Sequence, residues 1–459
     1  MAYKVCKFGG TSLATREQID TSIGIMLSDS YRKFMVVSAP GKRDNNDTKI
    51  TDILIRAAEN QLNGIEDMSP VGSIKKRIYE IGHDVGGVAD QLCRELDARL
   101  SDTNAPNYMD YIKAFGEYAS ARLIAAIMQK NRAGEAKFLD PKDIGFIATS
   151  KSGNARPDET CYPTIAKNLL PKHPRGTERP IAVIPGFYAY TKRGDIITLP
   201  RGGSDTTGAV IANAVGAVVY ENWTDTDGLQ RADPRIVKDP EIIREITYRE
   251  SRELAYLNFK LQEEAMIPAM QKKIPIHVLN TNNPSAKGTL VVYDRVVPSA
   301  EYIIGVACKA GYIPISIFKQ FMNREIGFGG GIFRIFREMG IPYEHSPTGI
   351  DEMTVIVEKE SVSEPGKVNN LIRKLNEELG PLEAKVGDST AMVVVAGLGM
   401  KRHVDTEAKV LSALAGKGIK PLMMNEGASE ISFFIGVREE QADDAVRAIY
   451  NEFNRRKNN

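Results

Sequence analysis

The sequence predicts an α/β protein: a largely parallel β-sheet sandwiched by helices, followed by two ferredoxin-like α+β modules. Three observations carry this. In the first two thirds, short continuous apolar runs alternate with stretches of helical apolar spacing, the pattern of strands buried on both faces. Near Pro298–Glu301 the alternation breaks. Beyond the break the chain repeats itself. Gly340 and Ile341 match Gly418 and Ile419, Gly349 matches Gly427, and Glu352 matches Glu430, each pair offset by 78 positions, about one small domain.

Taken in order, Tyr3–Phe8 predicts a strand and Thr15–Leu27 a helix. Phe34–Ala39 is a continuous apolar strand running into Pro40 and Gly41. Spacing at Ile112, Phe115, Leu123 and Ile127 predicts a helix over 109–129. Ile181–Pro185, Ile196–Leu199 and Ala217–Asn222 predict three further strands. In the repeat, Ile332 keeps step with Val410, Phe336 with Leu414, Val355 with Phe433 and Val357 with Ile435. Each copy reads strand, helix, strand, strand, helix, strand, the ferredoxin-like order. The expected division is 1–298, then modules at 302–386 and 387–459.

Composition narrows the function. The 459 residues carry 60 Lys and Arg against 59 Asp and Glu, a net charge of +1, so there is no bulk attraction to nucleic acid or anionic lipid. No apolar run approaches the roughly 18 residues of a membrane span, and the N-terminus lacks a signal-peptide pattern. Cys6, Cys93, Cys161 and Cys308 are scattered, which fits free thiols in a reducing cytosol, and a cytoplasmic location is expected. No His/Cys spacing suggests zinc. A metal arriving with a ligand stays open.

Two glycine elbows carry the chemistry. One is Lys7-Phe8-Gly9-Gly10-Thr11-Ser12; the other is Arg201-Gly202-Gly203-Ser204-Asp205-Thr206. Both read strand, cation, two glycines, hydroxyl N-cap, helix. Glycines permit a sharp turn and close approach of a ligand, and a helix N-terminus offers unpaired N–H groups and partial positive charge. Each is therefore an anion site. One elbow alone reads equally as a capped turn; two with one grammar favour function. A third segment, Trp223 to Asp227 followed by Asp233-Pro234-Arg235, sits after a strand, where α/β sheets bind ligands. Asp225 and Asp227 suit a ribose hydroxyl or a Mg²⁺-water shell, or simply cap a polar turn. Trp223 suits core packing. Gly327–Gly331 lacks dinucleotide-loop spacing and opens the first module's helix instead.

These three segments resemble the signatures of the aspartate kinase family, which has the amino-acid-kinase fold and a C-terminal pair of ACT domains. The resemblance spans essentially the whole chain and implies a phosphotransferase, transferring the ATP γ-phosphoryl group to the side-chain carboxylate of L-aspartate. That is the first step of lysine, threonine and methionine biosynthesis. It implies Lys7 and Asp205 as catalytic residues, Lys7 neutralising the transferring group and Asp205 orienting it. It places the substrate on Thr51, Glu117, Arg201, Gly202, Gly203 and Ser204: Arg201 and Ser204 at the α-carboxylate, Glu117 at the α-amino group. It places ATP on Lys7, Phe8, Gly9, Gly10, Thr224, Asp225, Arg235, Lys260 and Leu261, with Mg²⁺ arriving on the nucleotide. Without the resemblance, Glu117 reads as a helix-surface charge and Thr51 as a cap.

The chain departs from the family at Asn258–Glu264, where only Lys260 of the adenine-side pattern is kept. It departs again at Gln230, where a tyrosine is common. Lys42–Lys49 is long and polar, which loosens the alignment around Thr51. The resemblance also implies feedback by lysine, threonine or both on Met322, Glu344, Asp351, Asn425 and Glu430, and a homodimer or homotetramer. Modules serving only dimerisation remain an alternative. So do another carboxylate kinase of this fold and a non-catalytic amino-acid sensor. No fused homoserine dehydrogenase is expected after the second module.

Overall fold

Apolar strands flanked by glycine turns build the first unit, Met1–Leu229 with Ile242–Tyr248 and Leu261–Arg295. The computed structural model describes residues 2–131, 136–149, 154–170, 179–255 and 263–454. The strands are β1 (Lys4–Phe8), β2 (Arg32–Val37), β3 (Ala136–Phe138), β4 (Ile181–Pro185), β5 (Tyr188–Tyr190), β6 (Ile196–Thr198), β7 (Val219–Thr224), β8 (Glu245–Thr247), β9 (Ile276–Asn280) and β10 (Thr289–Val292). Eight of them form one sheet in the order β3-β4-β2-β1-β7-β9-β10-β8. From β3 to β9 all neighbours are parallel; β10 runs antiparallel to β9 and parallel to β8.

The central strands are buried throughout their apolar length: Phe34, Met35, Val36 and Val37 on β2, and Val183 and Ile184 on β4. The helices of this part are α1 (Arg16–Leu27), α2 (Ile50–Leu62), α3 (Ser69–Ile81), α4 (Gly86–Ser101), α5 (Tyr108–Lys113), α6 (Phe115–Lys130), α7 (Pro141–Ile144), α8 (Tyr162–Leu169), α9 (Gly203–Val215) and α11 (Glu263–Gln271), while α10 (Tyr248–Ala255) belongs to the second unit from Arg249 on. No helix among the described residues is long and apolar enough to cross a membrane.

Two expectations need correction. The helix expected over 109–129 is two, α5 and α6, meeting at Ala114. Ile196–Leu199 does not join the parallel sheet: β6 pairs antiparallel with β5 in a separate hairpin. The cause is local. Thr191 N–H donates to Asp195 O at 2.8 Å, and Gly194 takes φ 92°. A tight turn so closed returns the chain beside β5.

The second unit gathers Val296–Asn459 with Gln230–Glu241 and Arg249–Lys260. It contains β11 (Gly305–Phe318), α12 (Phe328–Glu338), β12 (Glu352–Glu358), α13 (Lys367–Leu379), β13 (Glu383–Val386), β14 (Thr390–Ala396), α14 (Thr406–Ala415), β15 (Met423–Glu426), β16 (Ser432–Arg438) and α15 (Ala442–Asn454). The repeat is visible in its turns. Gly340 and Gly418 take φ 63° and 66°. Ile341 N–H donates to Phe336 O at 2.9 Å, and Ile419 N–H to Leu414 O at 3.0 Å. These are one helix-ending bond in two copies.

Each copy has its own core: Ile315, Ile332, Phe336 and Val355 in the first, and Val393, Val410, Leu414 and Phe433 in the second. The second copy, however, ends in α15 rather than a strand. Gly305–Lys309 of β11 takes that place by pairing antiparallel with β14. After a register shift between Lys309 and Tyr312, the rest of β11 pairs with β12 and β13. Gly311, at φ 89°, lies in that shift. One strand therefore serves both modules, which strict sequence order hides.

Candidate active site

Lys7 lies near the carboxyl end of β1, opposite Asn222 in the parallel register with β7. It is 8% exposed. A buried ammonium persists only when paired, and Lys7 Nζ lies 2.5 Å from Asp205 Oδ1. Asn222 completes the cluster. Its Oδ1 accepts from Lys7 Nζ at 3.4 Å, and its Nδ2 donates to Asp205 Oδ1 at 3.2 Å. Sequence reasoning passed over Asn222. The signal was a polar Glu221-Asn222 pair inside a strand that is otherwise rich in β-branched and aromatic residues. Trp223 packs in the core, as expected: it stacks on Phe8 with centroids 6.0 Å apart and donates from Nε1 to Glu221 at 3.0 Å. The side chain of Phe8 is thus core, and only its backbone faces the elbow.

The first elbow differs in detail from its expected grammar. Gly9 N–H donates to Trp223 O at 3.1 Å, so it is not free to bind an anion. A 3-10 turn over Gly10–Leu13 follows, and α1 is capped by Thr15 in a capping box with Gln18. The hydroxyl cap therefore falls on neither Thr11 nor Ser12; Ser12 Oγ lies 2.7 Å from Thr281 Oγ1 instead. Gly10 and Thr11 open the 3-10 turn, and their amides have no acceptor inside it.

The second elbow caps α9 with Gly202 itself, at φ 81°, without a side-chain cap bond. A left-handed glycine takes the position reserved for the hydroxyl, and Ser204 and Asp205 lie inside the first turn. Ser204 is 7% exposed and Arg201 is exposed. Gly186, after β4, presses on this turn: a Cβ there would lie 2.7 Å from Ser204 Cβ and 2.8 Å from its Cα. Gly186→Ala is expected to lower stability by about 1–3 kcal/mol, read as a lower melting temperature. A native melting temperature would show that α9 has slack.

Glu117, in the first turn of α6, is 5% exposed. Its carboxylate accepts from the Ala39 amide, yet burial pushes its pKa up to about 8. Its Oε2 is buried with no hydrogen-bond partner among the described residues. A buried, half-satisfied acid is costly unless a ligand completes it. Glu117 is therefore no helix-surface charge. Gly116 lets α6 approach: a Cβ there would lie 2.8 Å from Ala39 Cβ and 3.4 Å from Leu54 Cδ1 of α2. Thr51 is half-buried in the first turn of α2. Gly41 N–H, beyond Ala39, donates to Gly10 O at 2.8 Å. Hence the ends of β1, β2, β4 and β7 and the first turns of α6 and α9 are joined by direct contacts.

On the far side of β7, Thr224 Oγ1 lies 3.3 Å from Asp225 Oδ1, and Asp225 is exposed. Asp227 accepts from Asn280 at 2.7 Å and Asn283 at 3.2 Å, so it ties the loops after β7 and β9 together. Arg235 lies in the second unit and forks onto Asp233, its Nη2 2.6 Å from Oδ2. Lys260 and Leu261 lie outside the described residues. Among the described residues, no group of three or more His, Cys, Asp or Glu is placed to hold a metal ion.

The effector candidates fall apart into different surroundings. Met322 is 6% exposed in the first module's core, because it follows the apolar face of β11. Asp351 accepts from Phe321 N–H at 2.8 Å, tying the segment before β12 to the one after β11. Burial pushes the Glu344 carboxyl up, and Glu358 adds to this. Asn425 Nδ2 lies 3.3 Å from His345 Nδ1, joining β15 to the segment before β12 in the first copy. Glu430 is exposed at φ 53°.

Comparison with known proteins matches this architecture. The model of the amino acid kinase family covers residues 2–280, and an ACT domain model covers 393–453. Aspartokinase 3 of Bacillus subtilis is 38% identical over 458 residues, 98% of either chain. The crystal structure of Clostridium acetobutylicum aspartate kinase superposes with a TM-score of 0.85 at 34% identity, covering 98% of this chain and 100% of that one. Escherichia coli aspartokinase III in complex with lysine and aspartate, in its T-state, gives 0.74 at 25% identity, covering 98% and 99%. The chain belongs to the amino acid kinase family, as an aspartokinase with a C-terminal ACT region.

Proposed function

We propose that the chain transfers the γ-phosphoryl group of ATP to the side-chain carboxylate of L-aspartate, giving 4-phospho-L-aspartate and ADP. The observation that carries this reading is one cluster of opposite needs. The Lys7–Asp205–Asn222 centre offers a fixed ammonium, while Glu117 presents a buried carboxyl whose Oε2 has no hydrogen-bond partner among the described residues. A phosphoryl group suits the first and an amino acid's ammonium the second.

The attacking carboxylate is already ionised at neutral pH, since its ordinary pKa is about 4, so no general base is required. The barrier is electrostatic, an anion approaching an anion, and positioned charge lowers it. Lys7 Nζ neutralises the transferring oxygens, and Asp205 with Asn222 holds that ammonium in place. The Gly10 and Thr11 amides bind the phosphate chain. Arg201 and Ser204 take the substrate's α-carboxylate, an Arg fork matching it bidentately, with Gly202 and Gly203 shaping that turn. Glu117 takes the α-ammonium beside Thr51. Mg²⁺ arriving with the nucleotide would supply further positive charge to the phosphates, and the exposed Asp225 after β7 would be the residue to meet its water shell.

Residues 1–298 form the catalytic domain in this reading, and 302–386 and 387–459 the two ACT modules, with Gly305–Lys309 completing the second. Thr224, Arg235, Lys260 and Leu261 serve the nucleotide. The effector is an amino acid, lysine foremost, since a relative binds lysine together with aspartate. The Glu344–His345 and Asn425–Glu430 loops are its site. The active form is a homo-oligomer, and the compartment is the cytoplasm.

Hydroxylamine traps an acyl phosphate as a hydroxamate. With ATP and a panel of amino acids, only aspartate is expected to give product, and added lysine is expected to suppress it, with threonine and methionine as comparisons. Hydroxamate from another acid would indicate a different carboxylate kinase. None from any acid would indicate a sensor and end this reading.

A further inference from the structure

The loop joining β2 to α2 is long and polar, and it meets the first elbow where Gly41 donates to Gly10 O at 2.8 Å. The contact is tight: a Cβ on Gly41 would lie 2.6 Å from the Gly10 carbonyl carbon. Apolar packing holds only the loop's ends, buried at Pro40 and Ile50; it does not hold the exposed and half-buried residues between them. A side chain from α3 does. Arg77 is 4% exposed. Its Nη1 donates to Gly41 O at 3.1 Å and to Ala14 O at 3.3 Å, and its Nη2 to Asp47 Oδ2 at 2.5 Å.

Asp47 is doubly held. Arg43 donates to it from Nε at 2.9 Å and from its backbone N–H at 2.9 Å, and reaches Glu80 with Nη1 at 2.9 Å. Arg43 first, then Arg77, keeps the Asp47 carboxyl well below the usual carboxylate range, against the opposing effect of burial. A buried ion pair is a poor device for stability alone, since apolar residues of similar volume often do as well. A planar fork is a good device for geometry, because it fixes several acceptors at once. Here those acceptors are the segment after Gly10–Leu13, the segment after β2, and the loop's far end.

We propose that Arg77 is a positioning residue for phosphoryl transfer: it clamps the β2–α2 loop so that Gly41 sets the Gly10–Thr11 turn and Ala39 sets Glu117. The catalytic half of this inference rests on the function proposed above.

The test combines steady-state kinetics with hydrogen exchange on Arg77→Lys and Asp47→Asn. Lysine keeps the charge but cannot reach three acceptors. Arg77→Lys is expected to lower kcat about 10- to 100-fold while KM for ATP moves less than about threefold. Amides in 9–15 and 39–48 should exchange at least about tenfold faster, with 442–454 unchanged. Asp47→Asn should show the same pattern, weaker. Wild-type kcat per folded molecule, with or without faster exchange, would overturn the proposal, as would native exchange in both segments. If Arg77→Lys fails to fold, Asp47→Asn decides by the same outcomes. If the wild-type protein forms no aspartyl hydroxamate, the function reading fails on its own, and exchange alone then decides whether Arg77 clamps the loop.

Discussion

Replacing Lys7 by alanine is expected to lower turnover on the order of 10³-fold in a protein that still folds. The ammonium sits 2.5 Å from Asp205 and within 3.4 Å of Asn222, so it is fixed before the substrates arrive and needs no reorganisation as charge develops. Removing it has two effects. The transferring oxygens lose their nearest cation, and Asp205, with 16% of its side chain exposed, turns an uncompensated negative charge towards the phosphates. ATP affinity should therefore weaken modestly while kcat collapses. Lys7→Arg should not rescue, because Lys7 is only 8% exposed and its Nζ is held between Asp205 and Asn222, a site fitted to a compact ammonium rather than a broad guanidinium. The double variant Lys7→Ala/Asp205→Ala should be little slower than Lys7→Ala, since the two act as one unit. Hydroxamate formation at saturating substrates reads the loss, and circular dichroism with a thermal melt reads folding. Wild-type turnover in Lys7→Ala would remove Lys7 from the mechanism.

The parts legible in the sequence were those set by local rules. Continuous apolar runs gave away β2 and β4, because strands buried on both faces need no alternation. The 78-residue repeat exposed the modules because each must bury the same face, and Gly340 and Gly418 end equivalent helices at φ 63° and 66°. The hidden parts were long-range. That β6 forms a hairpin, or that Gly305–Lys309 closes the second module's sheet, depends on which edge is free, and no local pattern records it. The site followed the same divide. Lys7, Gly10 and Asp205 stood out by motif. Asn222, Gly186, Ala39 and Arg77 act through partners far away in sequence, and only coordinates bring them together. Caps were misplaced for a related reason: a 3-10 turn moved the hydroxyl cap of the first elbow on to Thr15, and at the second Gly202 took the cap position by its left-handed backbone.

Glu117→Gln should separate stability from substrate binding through pH. In the folded protein the carboxyl titrates at about 8, against an ordinary 4.5, because burial outweighs the hydrogen bond from Ala39. Between those values the folded chain holds a proton that the unfolded chain has released. Its contribution is thus fully present below about pH 4.5 and is lost as pH rises through about 8. Glutamine mimics the protonated acid, so the variant should match wild type near pH 4, gain on it steadily as pH rises from about 4.5 to 8, and exceed it at pH 9 by a few kcal/mol at most.

Binding should show the opposite preference. A substrate ammonium needs the ionised carboxylate, so aspartate must displace the Glu117 proton. Apparent affinity should then rise up to about tenfold per pH unit from pH 6 to 8 and level off above. Calorimetry in two buffers of different ionisation enthalpy should record nearly one proton released at pH 7. In Glu117→Gln the slope and the released proton should vanish, and aspartate affinity should fall on the order of 100-fold. A wild-type affinity flat between pH 6 and 8, with no proton released, would mean that Glu117 does not meet the ammonium. The buried acid would then need another ligand, and the amino-acid side of the site would have to be sought elsewhere along the ends of these strands.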